Sequence, residues 1–254
     1  MSYKTINVRF QDRMCFLQFY RPKANNTIND ILIEECHQVL ALCEESITVV
    51  ILEGLPEVFC FGVDFEGIHA QIASGKPSEQ SPGSLYDLWL KLATGPYITI
   101  SHLRGKVNAG GLGFVAASDI VLADQTAQLS LSELLFGLFP ACVLPFLIRR
   151  IGFQKANYLT LMTRPISVQQ AFEMGLVDAY DFESEALLRK HLVCLRRLSK
   201  TAILRYKRYM NGLNDLLIQS KSPAVAANQE FFSDPCVLEG IFRFVEKGEF
   251  PWED

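Results

Sequence analysis

Glycine fills three of the four positions from 110 to 113, within Arg104-Gly-Lys-Val-Asn-Ala-Gly-Gly-Leu-Gly-Phe114, where an apolar strand gives way to an apolar helix. Glycines let backbone approach a ligand closely, and the first amides of a helix lack intrahelical partners, so this stretch suits an anion. Phe59-Cys-Phe-Gly-Val-Asp64 offers a second glycine turn between strand and helix. Two such turns brought together make a two-amide oxyanion hole. Glu133 is the strongest candidate for proton transfer: among Leu129, Leu131, Leu134, Leu135 and Phe136 its carboxyl should have a raised pKa. Ser130-x-x-Glu133 before an apolar run also reads as a capping box, in which the glutamate only satisfies helix amides. Gly111-x-Gly113-x-x-Ala116 formally matches the dinucleotide fingerprint, with Glu133 about twenty residues further on. Its context differs from that fingerprint, because residues 104–109 separate strand from glycines and two strands precede the acid.

Composition limits the classes available. A chain of 254 residues, 49% apolar and 20% charged, can bury a full core in one domain with a small helical appendage. Apolar runs are broken well before the roughly 18 residues of a membrane helix, and the N-terminus lacks a signal peptide's apolar block. A net charge of −4 argues against a general nucleic-acid binder. Seven cysteines, without a Cys-x-x-Cys pair, read as buried thiols of a reducing, cytoplasmic compartment. Histidines 37, 69, 102 and 191 have no metal-ligand spacing, so no metal is expected.

Several elements must position these residues. Runs at 5–10 and 15–20 predict an opening hairpin across Gln11-Asp12-Arg13. Thr27 can cap a helix whose apolar positions 28, 31, 32, 36, 39, 40 and 43 follow helical spacing. The β-branched run 47–52 predicts a strand covered on both sides. A short helix to about residue 73 leads to a loop over 74–84, whose composition suits either a lid or a surface insertion. Helices are predicted over 85–93 and 110–118, and strands over 97–103, 119–123 and 127–131. From about Val143 the pattern is helical, with Ser167 as a cap, Gly175 as a stop and a brief strand at 176–180. Residues 184–247 predict three helices, the last opened by Asp234 and Pro235. The class is α/β.

Four stretches in register, at 59–64, 104–114, 118–124 (Ser-Asp-Ile-Val-Leu-Ala-Asp) and 132–140 (Ser-Glu-Leu-Leu-Phe-Gly-Leu-Phe-Pro), resemble the enoyl-CoA hydratase/isomerase (crotonase) superfamily, from about residue 5 to the C-terminus. The resemblance implies a spiral of β-β-α units over residues 1–183 and a C-terminal helical trimerisation region over 184–254, assembled as a homotrimer or hexamer. It implies an oxyanion hole from the amides of Val63 and Gly110. Glu133 falls on one of two glutamates that hydratases use, and Gly113 falls on the other, leaving simple two-glutamate hydration in doubt. Glu66 stands where CoA-using relatives often carry a lysine near the nucleotide phosphates.

With Pro-Ala-Cys-Val-Leu-Pro-Phe-Leu-Ile-Arg-Arg and the terminal Phe-Pro-Trp-Glu-Asp, these departures resemble the dehydratases of polyketide β-branching cassettes. The implied reaction is dehydration of 3-hydroxy-3-methylglutaryl-acyl carrier protein to 3-methylglutaconyl-acyl carrier protein, with no cofactor beyond the carrier's phosphopantetheine. Glu133 would take the α-proton and return it to the departing hydroxyl, or Asn108, His102, Tyr86 or the substrate's own carboxylate would help. Candidate substrate contacts are Phe61, Asp64, Asn108, Tyr86, His102 and Cys142. The acidic carrier protein calls for a basic face, with candidates Arg149, Arg150, Lys155, Arg189, Lys190, Arg196, Arg197, Lys200, Arg205, Lys207 and Arg208. The companion decarboxylase, a free acyl-CoA hydratase or isomerase, and a non-catalytic carrier-binding scaffold are the alternatives.

Overall fold

The chain opens with the expected hairpin. β1 (Ile6–Gln11) pairs antiparallel with β2 (Met14–Phe19), and Asp12 makes the turn at φ +54°. The computed structural model describes residues 3–74 and 82–253, so residues 75–81 of the loop expected over 74–84 lie outside the described residues. α1 (Asp30–Leu42) starts later than predicted: Asn29 caps it through Leu32 N, while the Thr27 hydroxyl accepts from the Arg21 guanidinium.

Three β-β-α passes follow. The first is β3 (Val49–Glu53), β4 (Val58–Cys60), α2 (Phe65–Ala73) and α3 (Pro82–Thr94). The second is β5 (Ile98–Leu103), β6 (Lys106–Asn108) and α4 (Gly111–Ala117). The third is β7 (Ile120–Asp124), β8 (Gln128–Ser130) and a 3-10 turn at Glu133–Phe136. Beyond lie α5 (Leu144–Ile151), α6 (Phe153–Met162), β9 (Ile166–Ser167), α7 (Val168–Met174) and β10 (Ala179–Asp181). Four helices close the chain: α8 (Ser184–Leu195), α9 (Lys200–Gly212), α10 (Leu216–Ser233) and α11 (Pro235–Lys247).

Each pass sends its first strand to a six-stranded sheet, ordered β1-β2-β3-β5-β7-β10, and its second to a four-stranded sheet, ordered β4-β6-β8-β9. Only β1–β2 and β8–β9 are antiparallel. This is the crotonase-like spiral. Residues 104–109, expected as a plain connection, contain β6, and the brief strand expected at 176–180 lies at Ala179–Asp181. The expected three C-terminal helices are four, because Asn214 accepts from Leu216 N and restarts the helix as α10. Ser167 caps α7 in a full capping box with Gln170, Gly175 ends it, and Asp234 caps α11.

The main core gathers Phe19, Phe59, Trp89, Phe114 and Phe146. Leu217 and Ala224 of α10 belong to it. Tyr86 Oη donates to the Leu217 carbonyl at 2.6 Å, and Lys221 pairs with Asp87 at 2.6 Å, which fastens α10 to α3. On the other side of the large sheet, Leu188 and Leu192 of α8 pack with Val49, Ile51 and Ile100. Lys207 of α9 reaches Asp119 at 2.6 and 2.7 Å. All seven cysteines are free; Cys194 and Cys236 are exposed rather than buried, since both lie on outward faces of C-terminal helices. No helix among the described residues is long and apolar enough to cross a membrane.

Candidate active site

The first glycine turn is held from three directions. Ile28 N donates to the Gly62 carbonyl at 2.7 Å, and Asp64 N donates to the Ile28 carbonyl at 3.0 Å. Asp64 also pairs with Arg21 at 2.7 Å and accepts from Gly67 N at 3.0 Å, at the start of α2. Gly62 has φ +94°, and a Cβ there would stand 2.8 Å from Ala109 Cβ and 3.5 Å from Gly110 N. Only glycine allows both the backbone conformation and the contact with the second turn.

The second turn is fixed by Ala109 N donating to the Ser130 carbonyl at 3.0 Å, after which α4 begins. Between these restraints, the amides of Val63 and Gly110 have no hydrogen-bond partner among the described residues. Unpaired amides on adjoining, rigidly held turns can stabilise an oxyanion without reorganising when charge develops.

Glu133 begins the 3-10 turn that follows β8. The capping box does not form. Ser130 Oγ donates to Asn108 Oδ1 at 2.8 Å, and Asn108 Nδ2 donates to Ser132 Oγ at 2.9 Å, so neither serine hydroxyl caps the turn at Glu133. Glu133 Oε2 is buried without a partner among the described residues. Loss of water around the carboxyl pushes its pKa from 4.5 up to about 7, only partly offset by the amides of Glu133 and Ser132. Such a group exchanges protons near neutral pH.

Two cavities meet at this point. One, of about 520 Å³, is walled by Ile28, Leu85, Trp89, Leu138, Cys142 and Phe231. The other, of about 550 Å³, is walled by Lys23, Phe61, Asp64, Lys106, Asn108 and Phe250. Val63, Phe65, Ala109 and Glu133 line both, while Gly110 lines the first. Glu133 and Val63 thus stand where the two cavities join, with Gly110 on the wall of the first.

The structure brings Val63, Gly110 and Glu133 together and sets Phe61, Asp64, Asn108 and Cys142 along the cavities. Cys142 Sγ faces the Ala224 carbonyl at 3.6 Å. Tyr86 and His102 line neither cavity, which corrects their place as substrate contacts. Tyr86 is spent on fastening α10. His102, 0% exposed in β5, has Nδ1 3.0 Å from Glu53 Oε1 because the register pairs Glu53 with His102 on adjacent strands. Glu53, His102 and Glu185 offer atoms within 4.8 Å of one another, a grouping that sequence spacing does not show.

Trp89 is a cavity residue that the sequence does not mark as functional. A Cβ at Gly113 would come within 2.6 Å of its Cη2 and closer still to Cε2 and Cζ2. The indole therefore fills the space where a side chain at 113 would stand. A tryptophan on the buried face of the helix predicted over 85–93 was the only signal available. Glu66, exposed, lines the second cavity.

Residues 9–254 match the enoyl-CoA hydratase/isomerase family, and the chain belongs to it as an enoyl-CoA hydratase-like enzyme. It is 64% identical over 255 residues to the bacillaene synthase dehydratase PksH of Bacillus subtilis (strain 168), spanning 100% of this chain and 98% of that one. The crystal structure of a polyketide biosynthesis enoyl-CoA hydratase (pksH) from Bacillus subtilis matches with a TM-score of 0.96 at 64% identity, over 98% of this chain and 100% of that one. An enoyl-CoA hydratase from Mycobacterium avium has the same fold, with a TM-score of 0.84 at 20% identity over 98% of this chain and 99% of that one.

Proposed function

We propose that this protein dehydrates 3-hydroxy-3-methylglutaryl-acyl carrier protein to 3-methylglutaconyl-acyl carrier protein in polyketide β-branching. It is an enoyl-CoA hydratase-like dehydratase. The observation that carries the reading is the unpartnered, buried Glu133 Oε2 at the junction of the two cavities, beside the free amides of Val63 and Gly110. The likeness to a polyketide dehydratase supports the substrate class.

The phosphopantetheine arm lies in the second cavity and the acyl chain in the first. The thioester carbonyl accepts from Val63 N and Gly110 N, and these donors hold the enolate formed when Glu133 takes the α-proton. Removing one such donor costs about 2.7–4 kcal/mol in comparable sites. The β-hydroxyl then leaves and takes the proton back from Glu133. The reaction requires no cofactor besides the arm that the carrier protein brings. We place the enzyme in a reducing cytoplasm, in keeping with seven free cysteines. We also propose a homotrimer or hexamer, in keeping with exposed Phe153, Leu161, Tyr206, Tyr209 and Leu213 on α6, α9 and the turn after α9.

The test is mass spectrometry of the loaded carrier protein after incubation. Loss of water is expected with the wild type, and Glu133→Gln should lower the rate by roughly a thousandfold, the order expected for a lost acid–base group. Loss of carbon dioxide would make the enzyme a decarboxylase. Equal turnover of the acyl-CoA would remove the carrier-protein requirement, and an unchanged mass would leave a binding scaffold.

A further inference from the structure

Of the polar residues lining the acyl cavity, Trp89 is 1% exposed and its Nε1–H has no hydrogen-bond partner among the described residues. A buried N–H left unpaired is costly, and Nε1 can only donate, so the group that completes it must be an acceptor. The ring packs edge-on against Phe114 and Phe146, both at 5.9 Å, and neither offers an acceptor. The ring's position narrows the choice of acceptor. A Cβ at Gly110 would lie 4.0 Å from Trp89 Cζ2, so the indole stands beside one of the two amides that hold the thioester carbonyl, at the reacting end of the acyl chain rather than its far end. It also occupies the space that a side chain at Gly113 would take.

We propose that Trp89 is a catalytic residue whose Nε1–H donates a hydrogen bond to the β-oxygen of the acyl group as that oxygen leaves. The inference rests on the dehydratase reading above. In the step, Glu133 takes the α-proton, the bond from the β-carbon to its oxygen breaks, and Glu133 returns the proton so that the oxygen departs as water. The indole transfers no proton. It stabilises the charge gathering on the leaving oxygen and turns that oxygen towards Glu133, the carboxyl that lines this cavity.

Trp89→Phe removes the donor but also leaves a void in the core, so a shape-conserving replacement is the decisive variant. The chain has only two tryptophans, and Trp252 is exposed. In a Trp252→Phe background, Trp89 is replaced by β-(3-benzothienyl)alanine, which keeps the bicyclic ring and exchanges N–H for sulfur. The expected result is a fall of about tenfold or more in kcat, KM for the loaded carrier protein nearly unchanged, and a melting temperature equal to or above that of the background. A structural indole gives the opposite pattern, with kcat unchanged, and would overturn the proposal. A second readout uses ¹⁵N-labelled indole in the Glu133→Gln variant. The Trp89 N–H resonance should move downfield with the 3-hydroxyacyl pantetheine thioester and stay in place with its 3-deoxy analogue; equal shifts with both would also overturn it. If the background enzyme itself removes no water, the dehydratase reading falls. Background turnover matched by the benzothienyl variant sinks only the role of Trp89.

Discussion

An ionised Glu133 is destabilising, because one of its oxygens is buried without a partner among the described residues and the cavity walls around it are largely apolar. Its folded pKa, about 7, lies above its ordinary 4.5. The folded protein therefore holds a proton that the unfolded chain releases over this interval. The stability this contributes is full below about pH 4.5 and is lost as pH rises through about 7, a change on the order of 3 kcal/mol. Catalysis runs the other way, since the base form needed for α-proton removal accumulates above pH 7 and the rate should climb through that value. Urea unfolding at about pH 5 and about pH 8 should show the wild type losing stability relative to Glu133→Gln; identical pH slopes would place the carboxyl in water. At this scale the sequence was a good guide to residues whose environment is local. Glu133 sits in a run of apolar neighbours and the two turns are marked by their glycines, while it is the resemblance to the hydratases that singles out the amides of Val63 and Gly110 within them. His102 and Tyr86 misled because their type suggests chemistry while their strand and helix faces point them at Glu53 and Leu217. Trp89 was missed for the converse reason, as a core residue by type with an unpaired donor that only packing creates.

Among the elements, β6 and β8 decide where Glu133 stands. Asn108 ends β6 and joins Ser130 of β8 to Ser132, the residue before Glu133, so it sets the path of the chain into the 3-10 turn. Asn108→Ala removes both bonds. We expect kcat to fall about tenfold and stability to drop by about 1–3 kcal/mol, with KM little changed, because the two amides and the rest of the cavity wall remain. Steady-state kinetics checks the split; a rise in KM alone would make Asn108 a substrate contact rather than a positioning residue. The hairpin and the helices read well because their periodicity extends over many residues, and Ser167, Gly175 and Asp234 mark helix ends by local capping chemistry. β4 and β6 were hidden: a strand of three residues shows no alternation, and each exists because the spiral lays it beside a strand from the next pass. The caps at Thr27 and Asn29 differ by two residues, and the choice between them was made by Arg21, which binds Thr27 while tying down the Asp64 turn. Tertiary demand overrode an equally good local signal.

The whole molecule carries a net charge of −4, yet the proposed partner is an acidic carrier protein. The basic residues expected to receive it are partly spent inside the fold. Arg150 pairs with Asp178 at 2.6 Å, Lys155 binds the Met174 carbonyl, Lys200 binds those of Cys43 and Ile47, and Lys207 is buried on Asp119. Of the cations proposed from sequence, none lines either cavity; Lys23 and Lys106, both exposed and in no ion pair among the described residues, line the second one instead. Glu66 shares that wall. Exposed charges act mainly on encounter, through a field that salt screens over about 10 Å at 0.1 M. Lys23→Glu with Lys106→Glu should therefore raise KM for the loaded carrier protein about tenfold at low salt, with the gap closing as salt rises. KM for the isolated pantetheine thioester, which has no acidic surface, should move less than twofold. Equal losses on both substrates would mean that the two lysines shape the cavity itself, and a salt-independent loss would place the docking face elsewhere on the molecule.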